Sequence, residues 1–266
     1  MRKLLTGAVN NASQHIDKIL LWKKSFEKNC DGDVILVSLN TSIQDREALE
    51  RNNIRYVERS VKTDETINNS RIFEMANFLT EKVDDYDVVM YTDVFDVAFL
   101  QDPFAKMDLY NYSYFIAGEG VTHGEEPWNA DVMKKCYPNE KYTHNNHEVF
   151  CSGVMGGKTR AVANFLHDIW LTLLRSTKGH DIADQAAMNI NIYQNDYKRL
   201  KKFFIYDKWC LHMATGGPTQ FFEAWGFKNA IEKKYGPIPN WKEFSIVHQF
   251  NRIPEIHQQI KKIYAN

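Results

Sequence analysis

The chain has 266 residues and sets 33 lysines and arginines against 34 acids, a formal net charge of −1. That balance gives no general electrostatic reason to bind nucleic acid or an anionic membrane surface, so any polyanion must be met by a local site. At 44% hydrophobic residues the chain buries a sizeable core, which excludes intrinsic disorder as its general description.

Residues 3–9 are apolar with a β-branched end and fit a buried strand. Ile16, Ile19, Leu20, Trp22 and Phe26 then recur at helical spacing up to Cys30. Residues 33–39 (DVILVSL) form a near-continuous apolar run, the pattern of a strand covered on both faces. Ser42 caps a helix that ends near Asn52 and Asn53, and 54–57 is a third short strand. Ile72, Met75, Ala76, Phe78 and Leu79 make the next helix stripe, and 88–91 the fourth strand. Strand and helix alternating at this spacing predict βαβ units with right-handed crossovers. The expectation is an α/β fold: one Rossmann-like domain with a mostly parallel central sheet flanked by helices. Farther on, 114–117, 149–155 and 244–247 read as strands, and 161–174 and 182–193 as helices. Residues 119–147 are rich in Gly, Asn, His, Glu and Pro with little periodicity, which predicts a long functional or mobile loop. No repeat, low-complexity tract or linker interrupts the chain.

In an open parallel sheet, ligands bind outside the carboxyl ends of the strands. The fourth strand runs VVMYTDVFDVAF, so Asp93 falls where the apolar run stops, with Asp96 three residues on. Neighbouring carboxylates repel unless a positive charge lies between them. A hard cation, Mn²⁺ or Mg²⁺, meets that need, with phosphate oxygens among its other ligands. The bland alternative makes Asp93 a turn residue and Asp96 a solvated acid.

Residues 71–104 resemble the GT-A superfamily of nucleotide-sugar glycosyltransferases, in which an arginine-bearing helix precedes a buried strand and an acidic DxD element. Here these are NNSRIFEMANFL and TDVFD, followed by FLQDPF. FCSGVMGG from Phe150 is similar to the Ser-Gly strand of that superfamily, and DQAAMN from Asp184 to the DQxxxN element of glycosyltransferase family 8. VHQFNR at the end resembles the segment whose late histidine, here His248, completes metal binding. The resemblance implies a nucleotide-sugar-binding half over 1–104 and an acceptor-binding half over 105–266. In the common motif the acids stand at i and i+2 and share one face of an extended chain. At i and i+3 they converge on one metal only through a turn or bulge within 93–96.

The resemblance and the chemistry of the residues themselves assign the remaining candidates. Asp93, Asp96 and His248 would hold Mn²⁺ or Mg²⁺. Ala8, Val9 and Asn10 at the end of the first strand would border the base, beside Arg71, whose planar guanidinium suits phosphate or pyrimidine oxygens. Arg71 could instead pair with Glu74 or Asp93, and His248 could be a hydrogen-bonded structural histidine. Ser152 and Gly153 are small enough for a sugar to approach the backbone. Asp184 and Gln185 either cap a helix or contact the transferred sugar. The acids Glu119, Glu125 and Glu126 with Trp128 suit an acceptor site, although Trp128 could equally anchor the loop. Glu119 or Asp184 would be the base if configuration inverts.

Two lookalikes are set aside. GVMGGKT at 153–159 lacks the first glycine of a phosphate-binding P-loop, where Ser152 stands, leaving Lys158 as a phosphate contact or an exposed residue. His123, His144 and His147 include an HxxH pair without a third ligand and read as solvated loop histidines.

The expected function is a metal-dependent glycosyltransferase using a nucleotide-diphosphate sugar, most simply a UDP-sugar, with a glycan or small hydroxyl acceptor, and the family 8 resemblance favours retention of configuration. The alternatives are a non-catalytic nucleotide- or glycan-binding module and a sugar-1-phosphate nucleotidyltransferase. LLTGAVNNAS lacks the glycine-rich opening loop of the latter. No apolar run approaches the ~18 residues of a membrane span, and the start is too short in its apolar part for a secretory signal. Cys30, Cys136, Cys151 and Cys210 form no CxxC pair and read as reduced thiols, so the expected location is cytoplasmic.

Overall fold

Apolar runs with no polar side to turn outward become the centre of a sheet, and DVILVSL does so as strand β2 (Asp33–Leu39), buried at every position after Asp33. The structure, a computed structural model, describes residues 1–61, 66–138, 145–176, 183–195, 197–213, 236–237 and 240–264. The first half alternates as expected: β1 (Lys3–Val9), helix α1 (Ile16–Asn29), β2, α2 (Ile43–Arg51), β3 (Tyr56–Arg59), α3 (Ile67–Glu81) and β4 (Val88–Thr92). A capping box starts α2, with Ser42 Oγ accepting from the Asp45 amide and the Asp45 carboxylate accepting from the Ser42 amide. The third strand begins two residues later than the sequence suggests. Ile54 is buried, but its amide bonds the Leu49 carbonyl at 3.0 Å, so it anchors the helix exit and does not join the ladder.

The second half contributes β5 (Val97–Phe99), β6 (Tyr114–Thr122), α4 (Pro127–Cys136), β7 (Glu148–Lys158), α5 (Thr159–Leu173) and α6 (Ala183–Gln194). Then come β8 (Leu200–Phe203), β9 (Cys210–His212), β10 (Ile246–His248) and α7 (Pro254–Tyr264). The expected long loop over 119–147 is thus in part ordered. β6 runs on to Thr122, and α4 follows because Pro127 opens it and the buried Glu126 carboxylate caps the amides of Trp128 and Asn129.

Seven strands form the main sheet in the order β3-β2-β1-β4-β7-β6-β8, with only β7 antiparallel to its neighbours. The α/β reading therefore stands, with a mostly parallel Rossmann-like sheet between helices. On one face α3, α5 and α6 bury Met75, Phe78, Leu166, Ile169 and Ile190. On the other, Ile19, Trp22 and Phe26 of α1 meet Leu36, Phe115 and Trp209. A small second sheet, β5-β10-β9, stands at the carboxyl edge of β4, covered by α7 through Ile256 and Ile260. The chain passes from the large sheet to the small one between β4 and β5. Asp93 and Asp96 occupy that joint.

Candidate metal centre

The ladder of β4 ends at Thr92, and residues 94–96 bend before β5 begins. The Asp93 amide donates to the Gly153 carbonyl of β7 at 2.7 Å, while Val94 is buried in the α1-side core and pins the corner. This is the turn that the i, i+3 spacing requires. β10 pairs antiparallel with β5, His248 opposite Val97, and the Gln249 amide donates to the Asp96 carbonyl at 2.7 Å. That register brings His248 Nε2 to 3.5 Å from Asp93 Oδ2 and 3.6 Å from Asp96 Oδ1. One ligand atom from each of the three residues lies within 4.8 Å of the others.

Two local observations fit a cation here. His248 is buried, yet its Nε2 makes no well-formed hydrogen bond, the two carboxylates standing at the outer limit of that range, 3.5 and 3.6 Å away. A Cβ on Gly153 would lie 2.6 Å from His248 Cε1 and 2.7 Å from Asp93 Oδ2, so only glycine leaves the triangle open. Two carboxylates and one imidazole suit a divalent cation of the Mn²⁺ or Mg²⁺ class, with positions left for oxygens from outside the protein. The charge pattern agrees. Burial pushes the Asp93 carboxyl up, but the Arg71 guanidinium and the His248 ring together outweigh it and hold the group well below the usual carboxylate range. Asp96 is raised by burial and by the Asp93 charge, against the pull of His248, Arg252 and Arg71. A second positive charge placed between the two acids relieves that repulsion.

Of its alternatives, Arg71 takes the ion pair with Asp93, part-buried and not at the surface. From α3 its Nη1 donates to Asp93 Oδ1 at 2.7 Å and its Nη2 to Asp184 Oδ2 at 2.8 Å. Glu74 turns instead toward Arg59. Asp184, at the start of α6 and 1% exposed, also accepts from Ser152 Oγ at 3.3 Å. The next residue, Gln185, is wholly engaged. Its Nε2 donates to Asn129 Oδ1 at 2.7 Å and Glu119 Oε1 at 3.1 Å, and its Oε1 accepts from the Ser152 amide at 3.3 Å. Glu119 is buried, and burial with the nearby Glu126 charge pushes its carboxyl up to about 8. Glu119, Gln185, Ser152, Asp184, Arg71 and Asp93 therefore form one continuous polar chain ending at the Asp93–Asp96–His248 triangle.

The other expected residues are placed less centrally. Ala8 and Asn10 are half-buried at the carboxyl end of β1, while the side chain of Val9 is buried in the α1-side core and not turned outward. Trp128 packs, half-buried, against the α3–α5–α6 core, as an anchor of α4. Glu126 is spent on the cap of α4, and Glu125 accepts from the Thr122 amide at 2.9 Å. Lys158 pairs with Val88 at the start of β4, while Val154 pairs with Thr92 at its end. Lys158 is thus on the far edge of the sheet, roughly 13 Å away along the strand, and has no part in the site. The solvated-histidine reading is overturned for His123, which is buried, and for His147, whose ring stacks on Tyr193 at 4.1 Å. His144 lies outside the described residues. Sequence reasoning also passed over His212 and Asn129. The first carries a faint signal in the CLH strand beside VH, and the second carries none.

No family model matches the chain, and no curated protein matches it either. Among the described residues, no helix is long and apolar enough to cross a membrane.

Proposed function

We propose that this chain is a metal-dependent glycosyltransferase that moves a sugar from a nucleotide-diphosphate sugar, with UDP as the nucleotide, to a hydroxyl of a glycan or small-molecule acceptor. The observation that carries this reading is the Asp93–Asp96–His248 triangle at the carboxyl edge of a Rossmann-like sheet, tied through Arg71 to Asp184. The ordered resemblance of the TDVFD, FCSGVMGG, DQAAMN and VHQFNR segments adds to it. The acid spacing, the main argument for a module without turnover, is absorbed by the bend at 94–96.

When bound, Mn²⁺ or Mg²⁺ supplies electrostatic stabilisation of the diphosphate leaving group as the sugar–phosphate bond breaks. The protein's share is placement. Arg71 locks Asp93 to Asp184, so the metal end and the sugar end of the site move as one unit. Asp184 presents a carboxylate at the start of α6, and Gln185 fixes that helix start to β7 through the Ser152 amide. Glu119, which holds its proton near neutral pH, serves as a hydrogen-bonding acid and not as a base. If configuration inverts, Asp184 is the better base. The four cysteines, all free and buried, suit a reducing compartment, and a cytoplasmic location belongs to this proposal.

A screen of sugar nucleotides for Mn²⁺-dependent hydrolysis tests the reading. One or more UDP-sugars should be hydrolysed slowly by the wild type, and none by Asp96→Asn. Hydrolysis that persists in Asp96→Asn, or that ignores chelation of the metal, would refute it.

A further inference from the structure

β9 and β10 pair in parallel with His212 directly opposite His248, and the two rings meet at right angles, Nδ1 to Nδ1, at 2.9 Å. Both rings are buried. At that separation one proton lies between the two nitrogens, so one ring donates and the other accepts. The choice fixes the far side of each ring. If His248 accepts, its proton moves to Nε2; if it donates, Nε2 is a bare lone pair aimed between Asp93 and Asp96.

The position of the ligand atom decides the direction. His248 Nε2 faces Asp93 and Asp96, and a cation held there needs that nitrogen bare, which puts the His248 proton on Nδ1, 2.9 Å from His212 Nδ1. His212 accepts it at Nδ1 and, as a neutral ring, carries its own proton on Nε2, beside Cys210 Sγ at 3.8 Å. On the His248 side, Cys151 Sγ is 3.6 Å from Nδ1, and sulfur is the weaker acceptor.

We propose that His212 is a positioning residue: it accepts the Nδ1 proton of His248 and so holds the Nε2 lone pair toward Asp93 and Asp96, ready for a divalent cation. The inference rests on the metal-binding part of the function proposed above. Such an outer partner sets both tautomer and ring angle, and its loss typically weakens metal binding ~10–100-fold.

The test begins on the metal-free protein, where ring ¹⁵N shifts of labelled histidines report the tautomers directly. His248 should carry its proton on Nδ1 and His212 on Nε2. Mn²⁺ titrations then compare His212→Asn, whose amide oxygen can replace the accepting Nδ1, with His212→Leu, which cannot accept. The Asn variant should stay within ~3-fold of wild type and the Leu variant fall ~10–100-fold. A wild-type His248 protonated on Nε2, or equal Mn²⁺ affinity in the two variants, would overturn the proposal. So would a thiolate-to-metal absorption band on adding Co²⁺, since it would make Cys151, His212 and His248 the ligand set. If the Leu variant fails to fold, the wild-type tautomer still decides. The expected tautomers without any Mn²⁺ binding would overturn the proposed function while supporting the role of His212.

Discussion

Gly153→Ala probes the proposed metal triangle without removing any of its three candidate ligands. The added Cβ would lie 2.6 Å from His248 Cε1, 2.7 Å from Asp93 Oδ2 and 2.9 Å from His248 Nε2. Ordinary carbon–carbon contact is ~3.5–4.0 Å, so the His248 ring must retreat by about 1 Å. Neither neighbour is free to do so cheaply. Asp93 is held by Arg71, and His248 is buried against His212. Overpacking of this kind costs ~1–3 kcal/mol of stability. Displacing two of three ligands by that distance should lower Mn²⁺ affinity by at least ~10-fold, the scale seen when ligand orientation is lost. Calorimetric or paramagnetic Mn²⁺ titration reads the affinity, and urea melts confirm that the variant is folded. Ser152→Ala, one residue away, is the control: it loses a 3.3 Å hydrogen bond to Asp184 and touches no ligand atom. A folded Gly153→Ala protein with wild-type Mn²⁺ affinity would refute the placement of the cation between Asp93 and His248.

Three further outcomes follow from the same geometry. Asp93→Asn should abolish Mn²⁺-dependent nucleotide-sugar binding and, because it also unpairs one arm of Arg71 in a partly buried setting, cost ~1–3 kcal/mol in urea melts. Asp184→Asn should still bind Mn²⁺ and nucleotide, yet transfer sugar ~100-fold more slowly with little change in KM; near-normal kcat would return Asp184 to a structural role. Glu119 holds its proton in the folded state up to about 8 but loses it near ~4.3 when unfolded, so the native state binds the extra proton between those values. Its contribution to stability therefore falls as pH rises through that window, by up to ~1.4 kcal/mol per unit, and Glu119→Gln should flatten the difference between melts at about pH 5 and about pH 8.

Strands β1, β2 and β4 were legible because each is an apolar run set between helix stripes, a local pattern that tertiary packing only had to accept, whereas β3, YVER with no fully buried residue, was placed two residues early. The requirement for a turn at Asp93–Asp96 was also legible, since it follows from the two-residue period of a strand. What closed around that turn was not. Arg71 meets Asp184 across 113 residues of chain, and His212 meets His248 only through the register of two three-residue strands. Such short strands carry too few residues to show a period. α4 escaped notice because its apolar residues Val132, Met133 and Cys136 sit among polar neighbours, and its start rests on one buried cap, Glu126, read instead as an acceptor contact. Local chemistry marked Asp93, but its neighbours came from pairings at long range.

Calorimetry of UDP binding, with and without Mn²⁺, on the wild type and on His248→Ala tests the central claim most directly. The wild type should bind UDP only when Mn²⁺ is present, and the variant should show no such binding while remaining folded. UDP bound equally well without Mn²⁺, or Mn²⁺-dependent binding undiminished in His248→Ala, would contradict the account.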